Sequence, residues 1–295
     1  MQEIVGAVSL GSIYLMFALG MSAAWGTIGI LNFAHGSIFM FSVFVSHQAL
    51  AQTDIPIVGL ALIAIVVGAA LSFLTQVLAF DQIIKRSTSE RAAETRILIG
   101  GIGVAMIPLA IAAHVTKNSP FGLQSAATHV KVWQLGGVRI SSVQIVTIVC
   151  ALTIAAALGL WLRRSRQGLA LRSLGVDAQV ASLMGIDGRR LAWGTMAFAG
   201  GLAGLAGILL TLNLGAITAH SGDSLLIKAF ACVVLGGVGS TLGVVTGCFM
   251  LAFAETLVLT QTSGLWVEAV SFGLIFAVLL LRPQGIFGHK EVQRV

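Results

Sequence analysis

Apolar residues fall in nine runs separated by short polar stretches, approximately 4–25, 33–51, 56–80, 97–113, 141–162, 191–213, 225–236, 240–260 and 265–281. A helix rising 1.5 Å per residue needs about 20 such residues to cross a hydrocarbon core of about 30 Å, and most of the runs reach that length. The weak ten-residue alternation of a porin-like barrel does not occur. The run 225–236 is short for a span. It is followed by LGGVGSTLG, Leu235 to Gly243, so it and 240–260 read as a broken pair. The pattern predicts an all-α polytopic membrane protein, one domain over 1–295, with about eight transmembrane helices and broken or re-entrant segments.

Composition agrees. Of 295 residues, 57% are hydrophobic and 9% charged, and the mean hydropathy is +0.98; soluble domains carry about a quarter charged residues. Cys150, Cys232 and Cys248 lie in apolar runs and read as small core residues rather than a disulfide frame or a metal site. The opening MQEIVGAV lacks a basic n-region, so the first run reads as an uncleaved span. The formal charge of +6 reads as topology, not as nucleic-acid affinity.

The basic residues cluster. Lys85, Arg86, Arg91 and Arg96 lie in 81–96. Arg163, Arg164, Arg166, Arg172, Arg189 and Arg190 lie in 163–190. Arg282, Lys290 and Arg294 lie in the tail. The positive-inside rule places these three segments in the cytoplasm, which puts the N-terminus outside and the C-terminus inside. Segment 225–260 must then leave the outer face and return to it, and 4–51 behaves likewise about GTIGILNFAHG, Gly26 to Gly36. Trp25, Trp161, Trp193 and Trp266 fall near span ends, as interfacial belt residues do.

GTIGILNFAHG and LGGVGSTLG are the candidate solute path. Non-helical backbone at membrane depth survives only where protein buries it or where it lines a watery cavity, and transporters place broken helices at the substrate path. The candidate residues are Gly26, Gly29, Asn32, His35 and Gly36 in the first turn and Gly236, Gly237 and Gly239 in the second. Asn32 and His35 would offer side-chain hydrogen bonds. The competing reading is close packing, with His35 bonded to a neighbouring carbonyl. For GGLAGLAG, Gly200 to Gly207, packing is preferred. Lys228 and Asp223 read as a surface pair or a lipid-phosphate contact. Glu255, inside an apolar run, is neutral, paired or beside water. Asn213 and His220 border an external loop and are candidates to face an incoming protein.

No G-x-x-x-x-G-K-[ST] occurs, so the chain carries no nucleotide-binding P-loop. HExxH, GxSxG and paired-acid motifs are also absent, which sets a membrane enzyme aside. In the basic segment 163–190, Asp177 is placed to cap a short helix and Gly185 to end it. Val180, Ala181, Leu183 and Met184 give that helix an apolar surface, and Asp187 can cap the next helix. Such a surface suits docking on a partner or lying on lipid, and the residues alone do not separate the two.

Five stretches carry a family resemblance: GSIYLMFALG (Gly11–Gly20), WGTIGILNFAHG (Trp25–Gly36), LRSLGVDAQVASLMGI (Leu171–Ile186), IKAFACVVLGGVGS (Ile227–Ser240) and LLLRPQGIFG (Leu279–Gly288). Together they resemble the H-type permease of branched-chain amino acid ABC importers. The resemblance implies the ABC importer permease fold and alternating access driven by partner ATPases. It implies a second permease subunit (a heterodimer), two ATP-binding subunits and an external substrate-binding protein as partners. No cofactor and no metal belong to the chain itself, since ATP sits on the partners. The loop around Asp177, Val180, Leu183, Met184 and Gly185 is then the coupling helix. Over 80–140 the resemblance weakens: the family's Arg-Pro is replaced by Asp81-Gln82-Ile83-Ile84-Lys85-Arg86. Relatives of this permease also serve urea and short amides, so those solutes are the alternative. A stand-alone secondary transporter or channel, with an ion site near Glu255, is the competing class.

Overall fold

The computed structural model describes residues 1–123, 131–135, 137–262, 264, 266–282 and 285–287. Lys290 and Arg294 of the basic tail, and Pro283, Gln284 and Gly288 of the C-terminal signature, lie outside the described residues. The helices are α1 (Gln2–Ile28), α2 (His35–Gln52), α3 (Ile57–Leu74), α4 (Asp81–Lys85), α5 (Glu90–Thr116), α6 (Ser142–Arg164), α7 (Arg166–Val176), α8 (Ala178–Leu183), α9 (Gly188–Leu214), α10 (Ser221–Gly236), α11 (Thr241–Gln261) and α12 (Trp266–Leu281). A π-helical turn, Thr75–Phe80, joins α3 to α4. Among the described residues six helices are long and apolar enough to cross a membrane: Gln2–Gly26, Ile57–Lys85, Arg91–Thr116, Ser142–Arg164, Gly188–Leu214 and Thr241–Gln261. The helices α2, α10 and α12 are shorter or more polar and complete the bundle. Strand content is small. The strands β2 (Val132–Leu135) and β3 (Val138–Ser141) form a hairpin, while β1 (Phe121–Gly122) pairs antiparallel with β4 (Ala216–Ile217).

Helices α1 and α9 form the centre. About three quarters of their positions are buried, 72% and 78%, against 22%, 17% and 22% for the spans of α3, α5 and α6. The outer helices therefore turn most of their apolar surface outward, where lipid supplies the solvent.

Small residues let the central helices approach. A methyl group on Gly200 would meet the Gly68 carbonyl, and one on Gly204 the Ala64 carbonyl, so α3 and α9 touch backbone to backbone. Apolar side chains gain little from leaving lipid for protein, so close dispersion contact has to hold such helices together. This is the packing role expected for GGLAGLAG. Gly20 of α1 meets Ala199 of α9 in the same way.

The basic segments 81–96 and 163–190 share one end of the bundle. Arg189 at the start of α9 pairs with Asp81 at the start of α4, and Arg96 donates to the Arg86 carbonyl. At the opposite end Gln2 exchanges two hydrogen bonds with the Arg139 backbone, of 2.9 and 2.7 Å, and β1 pairs with β4. The bundle thus has a basic end and a hairpin end, with the first residues of the chain at the latter. Trp161 and Trp266 are exposed, as belt residues would be. Trp25 and Trp193 are not: the first stacks on Phe230 at 5.5 Å, and the second bonds to Asp81.

Candidate functional site

The two glycine turns meet. Helix α1 ends with Gly29 at φ 69°, a left-handed conformation that costs glycine little. The chain passes through Asn32 and starts α2 at His35. The second turn joins α10 to α11 through Gly237 (φ 98°) and Gly239 (φ 80°). A methyl group on Gly26 would lie 2.5 Å from the Gly239 Cα. Gly236 touches the Gly243 backbone across the α10–α11 hairpin. Gly36 lies apart from this junction, against Gly222 at the other end of α10. Residues 285–287 close over the second turn: Ile286 N–H donates to the Leu235 carbonyl at 2.8 Å and Phe287 N–H to that of Gly236 at 3.0 Å.

Asn32 and His35 are buried in the chain itself. The Asn32 Oδ1 accepts the Ala34 N–H at 2.9 Å and its carbonyl accepts the His35 N–H, which fixes the entry into α2. Its Nδ2 is buried with no hydrogen-bond partner among the described residues. The His35 ring packs tilted against Phe17, with ring centroids 4.5 Å apart, and its Nε2 lies 3.3 Å from the Phe17 carbonyl. Of the two sequence readings for this histidine, that is the geometry of the packed one. Gly29 is exposed, and a methyl group there would meet nothing within 4 Å.

Helix α10 has only 16 residues, about 24 Å at 1.5 Å per residue, so it falls short of the hydrocarbon thickness. An ion pair secures it. Lys228 Nζ lies 2.9 Å from Glu255 Oε2. Tyr14 donates to the same oxygen at 2.6 Å, and Ser271 donates to Oε1 at 2.7 Å. Glu255 is 1% exposed and its partner lysine 21%. Four helices, α1, α10, α11 and α12, thereby share one carboxylate. The expected pairing of Lys228 with Asp223 is corrected: Asp223 lies 3.3 Å from His220. Five residues on an α-helix differ by 140° in direction, so the lysine faces the bundle while Asp223 stays exposed. Asn213 is likewise turned inward. It donates to Thr147 and to the Leu209 carbonyl, and accepts from Ser9.

The basic end carries the short helix foreseen in the sequence. Asp177 Oδ1 accepts the N–H groups of Gln179 and Val180 at 3.0 and 2.9 Å. Gly185 ends α8 at φ 82°. Asp187 then caps α9 through the Arg190 N–H. Ala181 faces the body of the protein, whereas Val180, Leu183 and Met184 are 52%, 87% and 79% exposed. Large apolar side chains this exposed suit contact with a partner or with lipid.

A third cluster was not anticipated. Asp81, 4% exposed, takes Arg189 Nε at 2.7 Å, Trp193 Nε1 at 2.9 Å and Gln76 Nε2 at 2.9 Å. A carboxylate at the margin of an apolar run was its signal. Two of its partners, Arg189 and Trp193, lie more than 100 residues away, so the sequence could not name them. Similarly, Tyr14 is the one tyrosine of the chain, and only the fold brings it to Glu255.

Residues 4–279 match the model of the family described as branched-chain amino acid transport system / permease component. The chain belongs to this family. This permease is 30% identical to the high-affinity branched-chain amino acid transport system permease protein BraD of Pseudomonas aeruginosa, over all of its own length and 98% of the relative's. It is 31% identical to the corresponding protein LivH of Salmonella typhimurium, covering all of this chain and 97% of that one. A probable branched-chain amino acid transport permease protein of Methanocaldococcus jannaschii is 27% identical, over 98% of this permease and 94% of its own length.

Proposed function

We propose that this permease forms the translocation path of an ABC importer for branched-chain or related amino acids. It works with a second permease subunit, two ATP-binding subunits and an external substrate-binding protein. The chain binds no cofactor, the ATP being held by the partners. It resides in the inner membrane, with the hairpin end and N-terminus outside and the basic end and C-terminus in the cytoplasm. The ATPase docks on α8 through Val180, Leu183 and Met184, with Asp177 and Gly185 setting the ends of that helix. The exposure of Leu183 carries this reading: burying such a side chain on a partner stabilises docking by about 1.5–3 kcal/mol.

The solute passes along the two glycine turns, with Gly26 and Gly29 at their junction with Gly236, Gly237 and Gly239, and with Asn32, His35 and Gly36 following from the first turn into α2. Main chain without side chains lets the turns close backbone to backbone there, and alternating access then consists of the α1–α2 and α10–α11 turns shifting against each other. His35 and Asn32 hold the first turn in shape, and the spare Nδ2 donor of Asn32 is available to the path. Substrate selection rests mainly with the external protein, which fits a path with little exposed charge. The test is uptake of labelled leucine, isoleucine and valine, with urea as the competing solute. Proteoliposomes holding the full set of subunits, with ATP inside or absent, are the assay. ATP-dependent leucine uptake supports the reading. Accumulation by the permease alone on a sodium or proton gradient overturns it.

A further inference from the structure

The Asp81 cluster lies where α8 joins the bundle. Only Met184 to Asp187 separate α8 from α9, and the first turns of α9 present Arg189 and Trp193 four residues apart on one face. The Arg189 guanidinium also lies 5.0 Å over the Trp193 ring. Both side chains close on Asp81. Gly188 and Gly194 flank this stretch of α9, and a methyl group on Gly194 would meet nothing within 4 Å. Left alone, a helix start bounded by two glycines is soft.

The other half of the clamp depends on the π-helical turn. In an α-helix, Gln76 and Asp81 would point 140° apart, since each residue advances 100°. Across Thr75–Phe80 the hydrogen bonds run five residues, the Asp81 N–H reaching the Gln76 carbonyl. The wider turn brings residues five apart to one side, and Gln76 Nε2 reaches Asp81 Oδ1. The carboxylate is thus turned toward α9 and oriented from behind. Beyond the clamp, α3 and α9 remain in backbone contact at Gly68–Gly200 and Ala64–Gly204, and α9 meets α1 at Gly20.

We propose that Asp81 is the positioning residue that transmits movement from the docking helix into the transport core. With the clamp closed, displacement of α8 carries α9 and α3 as one body, and α9 moves α1, whose C-terminal end, on the basic side of the bundle, holds Gly26 against Gly239. With the clamp open, the glycine-bounded start of α9 flexes and absorbs the displacement. This inference rests on docking at α8. It adds that the docked assembly needs Asp81 to convert ATP hydrolysis into transport.

The experiment compares the wild-type assembly with Asp81→Asn, Asp81→Glu and Trp193→Phe in proteoliposomes, measuring ATPase co-purification, ATP hydrolysis and solute taken up per ATP. Asp81→Asn is expected to retain its ATPase subunits and hydrolyse ATP while uptake per ATP falls about tenfold. Trp193→Phe, which removes one donor without unpairing a charge, is expected to lower the same ratio two- to fivefold. Asp81→Glu is expected to regain part of it. A merely structural clamp would lower the amount of assembled transporter and leave uptake per ATP unchanged; that result overturns the proposal. If Asp81→Asn does not assemble, the ratio for Trp193→Phe decides, an unchanged value again overturning it. Failure of the wild-type chain to retain any ATPase would instead remove the docking reading beneath it.

Discussion

The Lys228–Glu255 pair offers a quantitative test of how α10 is held. Glu255 is almost fully enclosed and saturated by three donors, Tyr14, Lys228 and Ser271. Glu255→Leu leaves the Lys228 ammonium partly buried with no counter-charge and strips the Tyr14 hydroxyl of its acceptor, while Ser271 keeps the Val267 carbonyl at 2.9 Å. Breaking a buried pair from one side costs about 3–5 kcal/mol. Lys228 keeps 21% of its side chain exposed and can turn toward water, which argues for the lower end, about 3 kcal/mol. Replacing both charges, Lys228→Met with Glu255→Leu, removes the unpaired charge, so the double variant is expected to recover about 1–2 kcal/mol relative to the single one. The assay is reversible unfolding of the purified permease in mixed micelles of increasing SDS fraction, read by tryptophan fluorescence, with the four chains forming a double-mutant cycle. A coupling energy below about 0.5 kcal/mol would refute the reasoning. The pair would then be incidental to the placement of α10.

Three further outcomes are expected. Gly29→Asn should keep uptake near wild type while Gly29→Leu loses most of it, because asparagine tolerates the left-handed backbone and leucine pays about 1–2 kcal/mol; loss in both, with the protein present in the membrane, would mean that the missing side chain rather than the backbone conformation is what matters. Leu183→Asp should reduce ATPase recovery in pull-downs at least tenfold, since it removes about 1.5–3 kcal/mol of apolar burial and places a charge in the contact; equal recovery would sink the docking role of α8. Asp177→Ala removes the acceptor for two N–H groups, a loss of about 1 kcal/mol, and should weaken ATPase affinity several-fold in a titration while leaving the membrane level of the permease unchanged.

Hydropathy and the glycine runs made legible the fold class, the spanning helices and the two glycine turns, because a bilayer imposes one requirement on every span: apolar length with its backbone bonds satisfied internally. The same is true of α8. Its cap at Asp177 and stop at Gly185 are local, set by hydrogen bonds two and three residues away and by a single positive φ. What escaped the sequence is pairing at a distance. Lys228 had Asp223 as a neighbour in the chain but faces Glu255, since helical phase decides which side chain turns inward. Trp193 had the position of a belt residue but serves Asp81, 112 residues away. The π-helical turn left no trace in composition, because it changes only which carbonyl each N–H reaches. The contact of Gly26 with Gly239 joins two motifs that the sequence marked separately. Only the antiparallel packing of α1 on α11 decided that they share one junction, since a backbone contact needs two helices to converge and neither turn encodes the other's place.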